Sequence, residues 1–287
     1  MSTGVKRVAV VTGASRGIGK AIALRLAKDG RHVVLMARSE GPLGDLKAQI
    51  EAAGGAATAK ACDISDPKAF AAALESVATE LGRLDILVNN AGITKDGLIL
   101  RMSDEDWSSV LQTNLTSAFV AARTAGRLMM KNRFGRIVNI GSTSGVVGNA
   151  GQANYAAAKA GIASMTIVLA RELRKYGVTV NAIAPRARTR MTQTVLGDLA
   201  PEEGQFDEWD PANIAPVVAW LASDLAAGVS GQVFVVAGDK VHLMAGWDRV
   251  GRIDHDGSAW TVDDLAAAAG DLFGERGSKL PKMGFGE

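Results

Sequence analysis

The sequence predicts an α/β domain, a doubly wound parallel sheet with helices on both faces, from three observations. Short β-branched runs alternate with longer Ala-rich stretches, the runs are apolar at nearly every position, and a glycine-rich turn joins the first run to the first helical stretch. Parallel strands need long crossovers, which helices supply while burying both faces of the sheet.

Taken in order, Val8 to Val11, Val33 to Ala37, Ile86 to Asn89, Arg136 to Ile140, Val178 to Ile183 and Gln232 to Val236 read as strands. Gly17 to Asp29, Leu43 to Ala53, Pro67 to Leu81, Asp104 to Lys131, Ala153 to Tyr176 and Pro211 to Ser223 read as the helices between them. After about residue 185 the composition changes, and Trp209, Trp220, Trp247 and Trp260 all fall there. Thr261 followed by Val-Asp-Asp264 supplies an N-cap and an acidic first turn for a last helix to about Phe273, before a Gly/Lys-rich end. Residues 1–240 are expected to form one domain with a substrate lid over about 186–210. Residues 241–287, too short and polar for a core of their own, are expected to be an extension packed on it.

Composition narrows the function. The 32 basic and 30 acidic side chains nearly cancel, which argues against nucleic acid or an anionic membrane as partner. No apolar run reaches membrane-spanning length and the chain passes from Met1 to Lys6-Arg7 and directly into the first strand, so a cytoplasmic location is expected. Cys62 is the single cysteine, and His32, His242 and His255 are scattered without ligand spacing; no disulfide and no metal site are expected.

The segment Thr12-Gly13-Ala-Ser15-Arg16-Gly17-Ile18-Gly19 follows the first strand and opens the first helix. There the free N–H groups and positive end of a helix meet a dinucleotide pyrophosphate, and glycines let it approach. A tight turn without a ligand would use the same residues. The second strand ends not in a carboxylate, which would bond a ribose, but in Arg38. Arg38 and Arg16 suit a 2′-phosphate, favouring NADP(H), unless both are merely solvated charges.

Tyr155 and Lys159 lie four residues apart and share a helix face. A nearby ammonium favours the phenolate and would bring a tyrosine, at about 10 when unperturbed, toward working pH; a surface Tyr/Lys pair is the plain alternative. Ser142 and Ser144 follow a strand at the carboxyl end of the sheet, where open α/β folds bind ligands. Ser142 can polarise a carbonyl, whereas Ser144 better suits loop or cap hydrogen bonding. Asn114, polar in an apolar helical stretch, supports a water-borne proton path or satisfies local backbone groups.

Together, Thr12 to Gly19, Asn89-Asn90-Ala91-Gly92, Asn114, Ser142 and the Tyr155/Lys159 pair resemble the short-chain dehydrogenase/reductase family, whose fold is a single-domain Rossmann fold. Residues 5–184 are similar to bacterial 3-oxoacyl-(acyl-carrier-protein) reductases through Val11-to-Gly19, Asn-Asn-Ala-Gly-Ile-Thr94 and Gly-Gln-Ala-Asn-Tyr-Ala-Ala-Ala-Lys-Ala-Gly161. The resemblance implies Tyr155 as proton donor, Ser142 as carbonyl-orienting hydroxyl, Lys159 as ribose ligand and tuner of Tyr155, and Asn114 as holder of a relay water. It places Asp63 at the adenine with Ile64 next to it, Asn90, Ala91, Gly92 and Ile93 along the cofactor, and Pro185 and Thr189 near the nicotinamide. It implies a homotetramer built through the helices around 104–131 and 153–176, and an acidic carrier docked at Arg133, although Tyr176, beside Lys175, stands where the family has its second arginine.

Three features depart from that pattern. Arg186 replaces a small residue in Pro185-Arg186-Ala-Arg188-Thr189-Arg190, and three arginines there either recognise an anionic carrier or only solubilise the loop. Val235-Val-Ala-Gly-Asp239 and the Trp247-to-Trp260 extension resemble actinobacterial short-chain dehydrogenases of hydroxyacyl-CoA and steroid side-chain metabolism. The two parts point to different relatives, as a chain of mixed or chimeric ancestry changing over near residues 180 to 190 would. The reading is NADPH-dependent reduction of a 3-oxoacyl thioester on carrier protein or CoA; the alternatives are an NAD(P)-linked 3-hydroxyacyl-CoA or hydroxysteroid dehydrogenase and a non-catalytic NADP-binding scaffold.

Overall fold

In a computed structural model of the chain, which describes residues 6–189, 204–246 and 248–276, strand β1 (Val8–Thr12) is buried at all five positions. It lies at the centre of an eight-stranded sheet with β2 (His32–Ala37), β3 (Ala56–Ala61), β4 (Ile86–Asn89), β5 (Gly135–Ile140), β6 (Val178–Arg186), β7 (Val233–Ala237) and β8 (Lys240–Met244), in the order β3-β2-β1-β4-β5-β6-β7-β8. All neighbours are parallel except β7 and β8. The strand order reverses between β1 and β4, and the crevice outside the carboxyl ends of these strands is where such sheets take ligands.

Helices α1 (Gly17–Lys28), α2 (Glu40–Ala52), α3 (Pro67–Leu81), α4 (Asp104–Leu111), α5 (Ser117–Asn132), α6 (Ser144–Val147), α7 (Ala153–Leu173) and α8 (Ala215–Leu221) follow the strands. Because side chains alternate along a strand, each strand feeds two cores. Ala9, Val11, Val33 and Leu35 pack with Ile22 and Leu26 of α1 and Val218 of α8, while Val8, Val10, Val34 and Met36 pack with Phe70 and Leu74 of α3 and Met129 of α5. Each fully buried Val, Leu, Ile, Phe or Met among them contributes about 1.5–3 kcal/mol.

The structure differs from the sequence reading at several places. Ala56–Ala61 is an edge strand that composition hides: Thr58 is its only β-branched residue. The single helix expected over 104–131 is broken by a π-helical turn, Gln112–Thr116, which carries Asn114. The helix expected from Pro211 begins as a 3-10 turn, Pro211–Ile214, before α8.

Beyond β7, Gly238 takes a positive φ of 56° and Asp239 does not, the glycine-first two-residue turn suited to a hairpin. It returns the chain as β8, so residues 240–244 belong to the sheet. Two compact units divide between Met244 and Ala245. The second contains helix α9 (Val262–Phe273), whose capping box is reciprocal: Asp264 N–H donates to Thr261 Oγ1 at 3.2 Å, and Thr261 N–H donates to Asp264 Oδ2 at 3.3 Å. Most of the expected lid, together with Arg190, Trp247 and the Gly/Lys-rich end, lies outside the described residues.

Candidate active site

The glycine loop is shaped by contact as much as by turn geometry. A Cβ on Gly19 would lie 2.3 Å from the Gly13 carbonyl oxygen and 2.5 Å from Asn90 Nδ2, and Gly13 itself has φ +65° and would place a Cβ 2.9 Å from Asn90 Nδ2. Neither position admits a side chain. Asn90 Nδ2 donates to the Thr12 carbonyl at 2.9 Å, and Thr12 Oγ1 accepts from the N–H groups of Asn90 and Ala91, each at 3.0 Å. This clamp joins the end of β1 to the end of β4. The N-cap Arg16 makes no side-chain cap bond to α1, so the first-turn N–H groups of Gly17, Ile18 and Gly19 face the crevice without that competitor. Loop, helix end and Ser15 form a cradle that fits a pyrophosphate.

Arg16 and Arg38 are exposed beside this cradle. Asp63, after β3, accepts from Ser65 N–H at 2.9 Å and Ser65 Oγ at 2.8 Å; these bonds, and secondarily the Arg38 guanidinium, hold its carboxyl below the usual range. Ile64 is buried in the core. Pro185, near the end of β6, is partly buried, and the Thr189 methyl lies 3.9 Å from where a Gly17 Cβ would be. The expected cofactor residues thus come from the carboxyl ends of β1, β2, β3, β4 and β6.

Ser142, Tyr155, Lys159 and Asn114 lie at the same edge, beyond β4 and β5. Lys159 is 4% exposed, donates through Nζ to the Ile140 carbonyl at 2.7 Å and lies 5.6 Å from the Tyr155 ring centroid. Burial alone takes its pKa from 10.5 down to about 8. Asn114 Oδ1 accepts from Ile93 N–H at 2.8 Å and its Nδ2 donates to the Ile93 carbonyl at 2.9 Å, so both ends of the amide grip one backbone position. A Cβ on Gly92 would come within 2.9 Å of Asn114 Oδ1 and 3.8 Å of Lys159 Nζ, which places both around Gly92.

Tyr155 differs from the expectation of a depressed phenol. Burial is the largest influence and raises its pKa, hydrogen bonding with Ser142 pulls it back, and the Asp96 charge raises it further. Lys159, half neutral near pH 8 and buried, is not among the groups that lower it. The helix holding both is fixed from beneath: Asn89 Nδ2 donates to Asn139 Oδ1, and Asn139 Nδ2 to Thr166 Oγ1 on α7, each at 2.9 Å within the core.

Arg186, at the end of β6, and Arg188 are engaged. The Arg186 guanidinium sits 5.2 Å from the Trp209 ring centroid, Arg188 pairs with Asp207, and Arg188 N–H donates to the Trp209 carbonyl at 2.6 Å. Arg133, at φ 49° before β5, donates to the Lys175 carbonyl at 3.2 Å; it stands at the amino edge of the sheet, a strand length from Ser142. Among the described residues no group of three or more His, Cys, Asp or Glu is placed to hold a metal, and no helix is long and apolar enough to cross a membrane. Sequence reasoning missed Asp96, Gln152 and Asn154 as site residues, although Gln152 and Asn154 lie inside the motif that carries Tyr155.

A family model described as short chain dehydrogenase matches residues 7–199. Hydroxyacyl-CoA dehydrogenase ChsB1 of Mycobacterium tuberculosis is 43% identical over 285 residues, covering 94% of this chain and 89% of its own, so the match runs on past residues 180 to 190. 3-Oxoacyl-(acyl-carrier-protein) reductase FabG of Vibrio cholerae is 45% identical over 239 residues, covering 81% of this chain and 96% of its own. A crystal structure of a short chain dehydrogenase from Mycobacterium avium superposes with a TM-score of 0.84 at 39% identity, covering 93% of this chain and 94% of that one. Both the fold, with its cradle and carboxyl-edge cluster, and these similarities over most of its length show that the chain belongs to the short-chain dehydrogenase/reductase family of oxidoreductases.

Proposed function

We propose that this protein reduces a 3-oxoacyl thioester to the 3-hydroxyacyl thioester with NADPH. The observation that carries the reading is the convergence of Ser142, Tyr155, Lys159 and Asn114 on one edge of the sheet, beside a pyrophosphate cradle flanked by Arg16 and Arg38. NADPH held in that cradle would supply the hydride for the keto carbon. Tyr155 donates its proton to the developing alkoxide, and Ser142 donates a hydrogen bond to the same oxygen. Lys159 binds the ribose hydroxyls and Asn114 holds the water that returns the proton. Arg16 and Arg38, with no carboxylate at the end of β2, select the 2′-phosphate.

CoA is favoured over carrier protein as the thioester group. Arg133 lies before the six-residue β5, on the order of 20 Å of strand from the catalytic edge, and Arg186 and Arg188 are already engaged by Trp209 and Asp207. The alternative, NAD(P)-linked oxidation of a 3-hydroxyacyl-CoA or hydroxysteroid, is favoured by one observation: the match to ChsB1 extends over 94% of the chain, that to FabG over 81%. The same reading makes the protein a cytoplasmic homotetramer assembled through α4, α5 and α7, on which Trp107, Phe119 and Val168 are exposed. It also assigns the residues around 186–210 to a substrate lid and the residues after β8 to an extension of the reductase domain.

Oxidation of NADPH and NADH in the presence of acetoacetyl-CoA tests the function, with Tyr155→Phe alongside. NADPH consumption that depends on thioester and is lost in the variant is expected; preference for NADH, or full turnover in the variant, overturns it.

A further inference from the structure

Polar side chains outside the tetrad form a run of hydrogen bonds that ends on Ser142. Asp96, in the connection after β4, accepts from Gln152 Nε2 at 2.9 Å. The Gln152 carbonyl Oε1 accepts from the Ser144 hydroxyl at 2.8 Å and from Asn149 Nδ2 at 3.1 Å. Ser144 donates its backbone N–H to Ser142 Oγ at 3.2 Å. The connection bearing Asp96 is itself tied down: Asn154 Nδ2 donates to the carbonyls of Lys95 at 2.9 Å and Asp106 at 3.3 Å, and Gly97 N–H donates to the Gly151 carbonyl at 2.8 Å.

The order of donors and acceptors in this run is not reversible. A carboxylate only accepts, whereas a primary amide has nearly the same shape either way round and opposite polarity when turned. Asp96 therefore commits the NH2 of Gln152 and leaves its oxygen to hold Ser144 and Asn149 together. With the amide turned, two NH2 groups would face each other at Asn149. Ser144 is thus held where its N–H fills one lone pair of Ser142 Oγ. The Ser142 proton is then free to point away from Ser144, where a serine that polarises a ketone must donate.

We propose that Asp96 is a positioning residue which, through Gln152 and Ser144, holds Ser142 as a hydrogen-bond donor toward the reacting carbonyl. The proposal deepens the reductase reading and rests on it. The Asp96 charge also raises the pKa of the Tyr155 phenol, which hydrogen bonding with Ser142 on the β5–α6 connection lowers, and Lys159 Nζ on α7 lies 5.6 Å from the ring centroid.

The test uses the full-length protein, NADPH and acetoacetyl-CoA, with Asp96→Ala, Asp96→Asn, Ser144→Ala and the Asp96→Ala/Ser144→Ala double variant. Asp96→Ala is expected to lower kcat about tenfold, less than the ~10²-fold that a misplaced catalytic group costs, with KM for NADPH unchanged. Asp96→Asn, whose Oδ1 still accepts from Gln152, restores kcat. Ser144→Ala matches Asp96→Ala, and the double variant is no worse than either, as members of one run require. A wild-type kcat in Asp96→Ala, an Asp96→Asn variant as slow as Asp96→Ala, or additive losses in the double variant would overturn the relay while leaving the reductase assignment intact. Thermal melting shows whether any loss is one of folding. A wild-type enzyme that turns over no thioester removes the reductase reading instead, and the relay with it.

Discussion

The two walls of the crevice are built on opposite principles. Around Tyr155 the polar groups are buried and tied from several sides: Lys159 to the Ile140 carbonyl, Asn114 to both polar groups of Ile93, and α7 to the sheet through Asn139 and Thr166. Around the expected 2′-phosphate, Arg16 and Arg38 are exposed, and the electrostatic link there is from Arg38 to Asp63. Burial costs a charged group several kcal/mol and rewards it with fixed geometry. Exposure costs little and fixes little. Reaction chemistry on the first wall should be inseparable from stability, whereas cofactor choice on the second should be alterable without disturbing the fold.

The largest expected effect lies on the buried wall. Tyr155→Phe removes the proposed acid and should lower kcat by about 10²–10⁴-fold, the usual contribution of a general acid, with cofactor affinity, read by fluorescence titration, retained. Lys159→Met tests whether chemistry and stability oppose each other there. The pKa of Lys159 falls from 10.5 to about 8 on folding, so the native state binds fewer protons between those values. Stability therefore rises with pH across about 8 to 10.5, and below that window the buried cation costs up to about 3 kcal/mol. The methionine variant should lose turnover yet unfold at higher urea concentration at pH 7, and its advantage should shrink as the pH approaches 10.5. A variant less stable at pH 7 would contradict this account of Lys159.

On the exposed wall, Arg38→Asp should weaken NADPH use about 10–100-fold, the value of charge-assisted hydrogen bonds to one phosphate, while the urea midpoint stays put. An unchanged ratio of NADPH to NADH kcat/KM would remove Arg38 from cofactor selection. The smallest effect is expected where the two styles mix, at the partly buried Trp209 beneath Arg186. Trp209→Ala should cost about 0.5–1 kcal/mol of stability through the lost cation–π contact, measured by thermal melting.

Legibility in the sequence follows the range of the interaction concerned. The order of most strands and helices was readable because β-branched runs and Ala-rich helices declare themselves locally, and Thr261 with Asp264 declared the start of α9. The edge strand Ala56–Ala61 was not, since alternating burial of small residues leaves no apolar run. Nor was the π-helical turn at Asn114, because a helical period over 104–131 survives a single inserted residue. β8 was hidden by its own hairpin, whose Gly238-Asp239 turn looked like a variant domain ending.

The site divides along the same line. Tyr155 and Lys159 are neighbours because four residues of helix make them so, and Gly13 is required by a turn that the adjoining strand and helix announce; sequence alone determined these. The rest needed the sheet to form. Asn114 meets Ile93 across 21 residues and Gln152 meets Asp96 across 56, and the raised phenol of Tyr155 follows from how deeply its helix is packed. Spacing along the chain encodes the partners within a helix or turn, but the partners across connections, and the burial that sets each proton's affinity, exist only once the carboxyl ends of the strands have been brought to one edge.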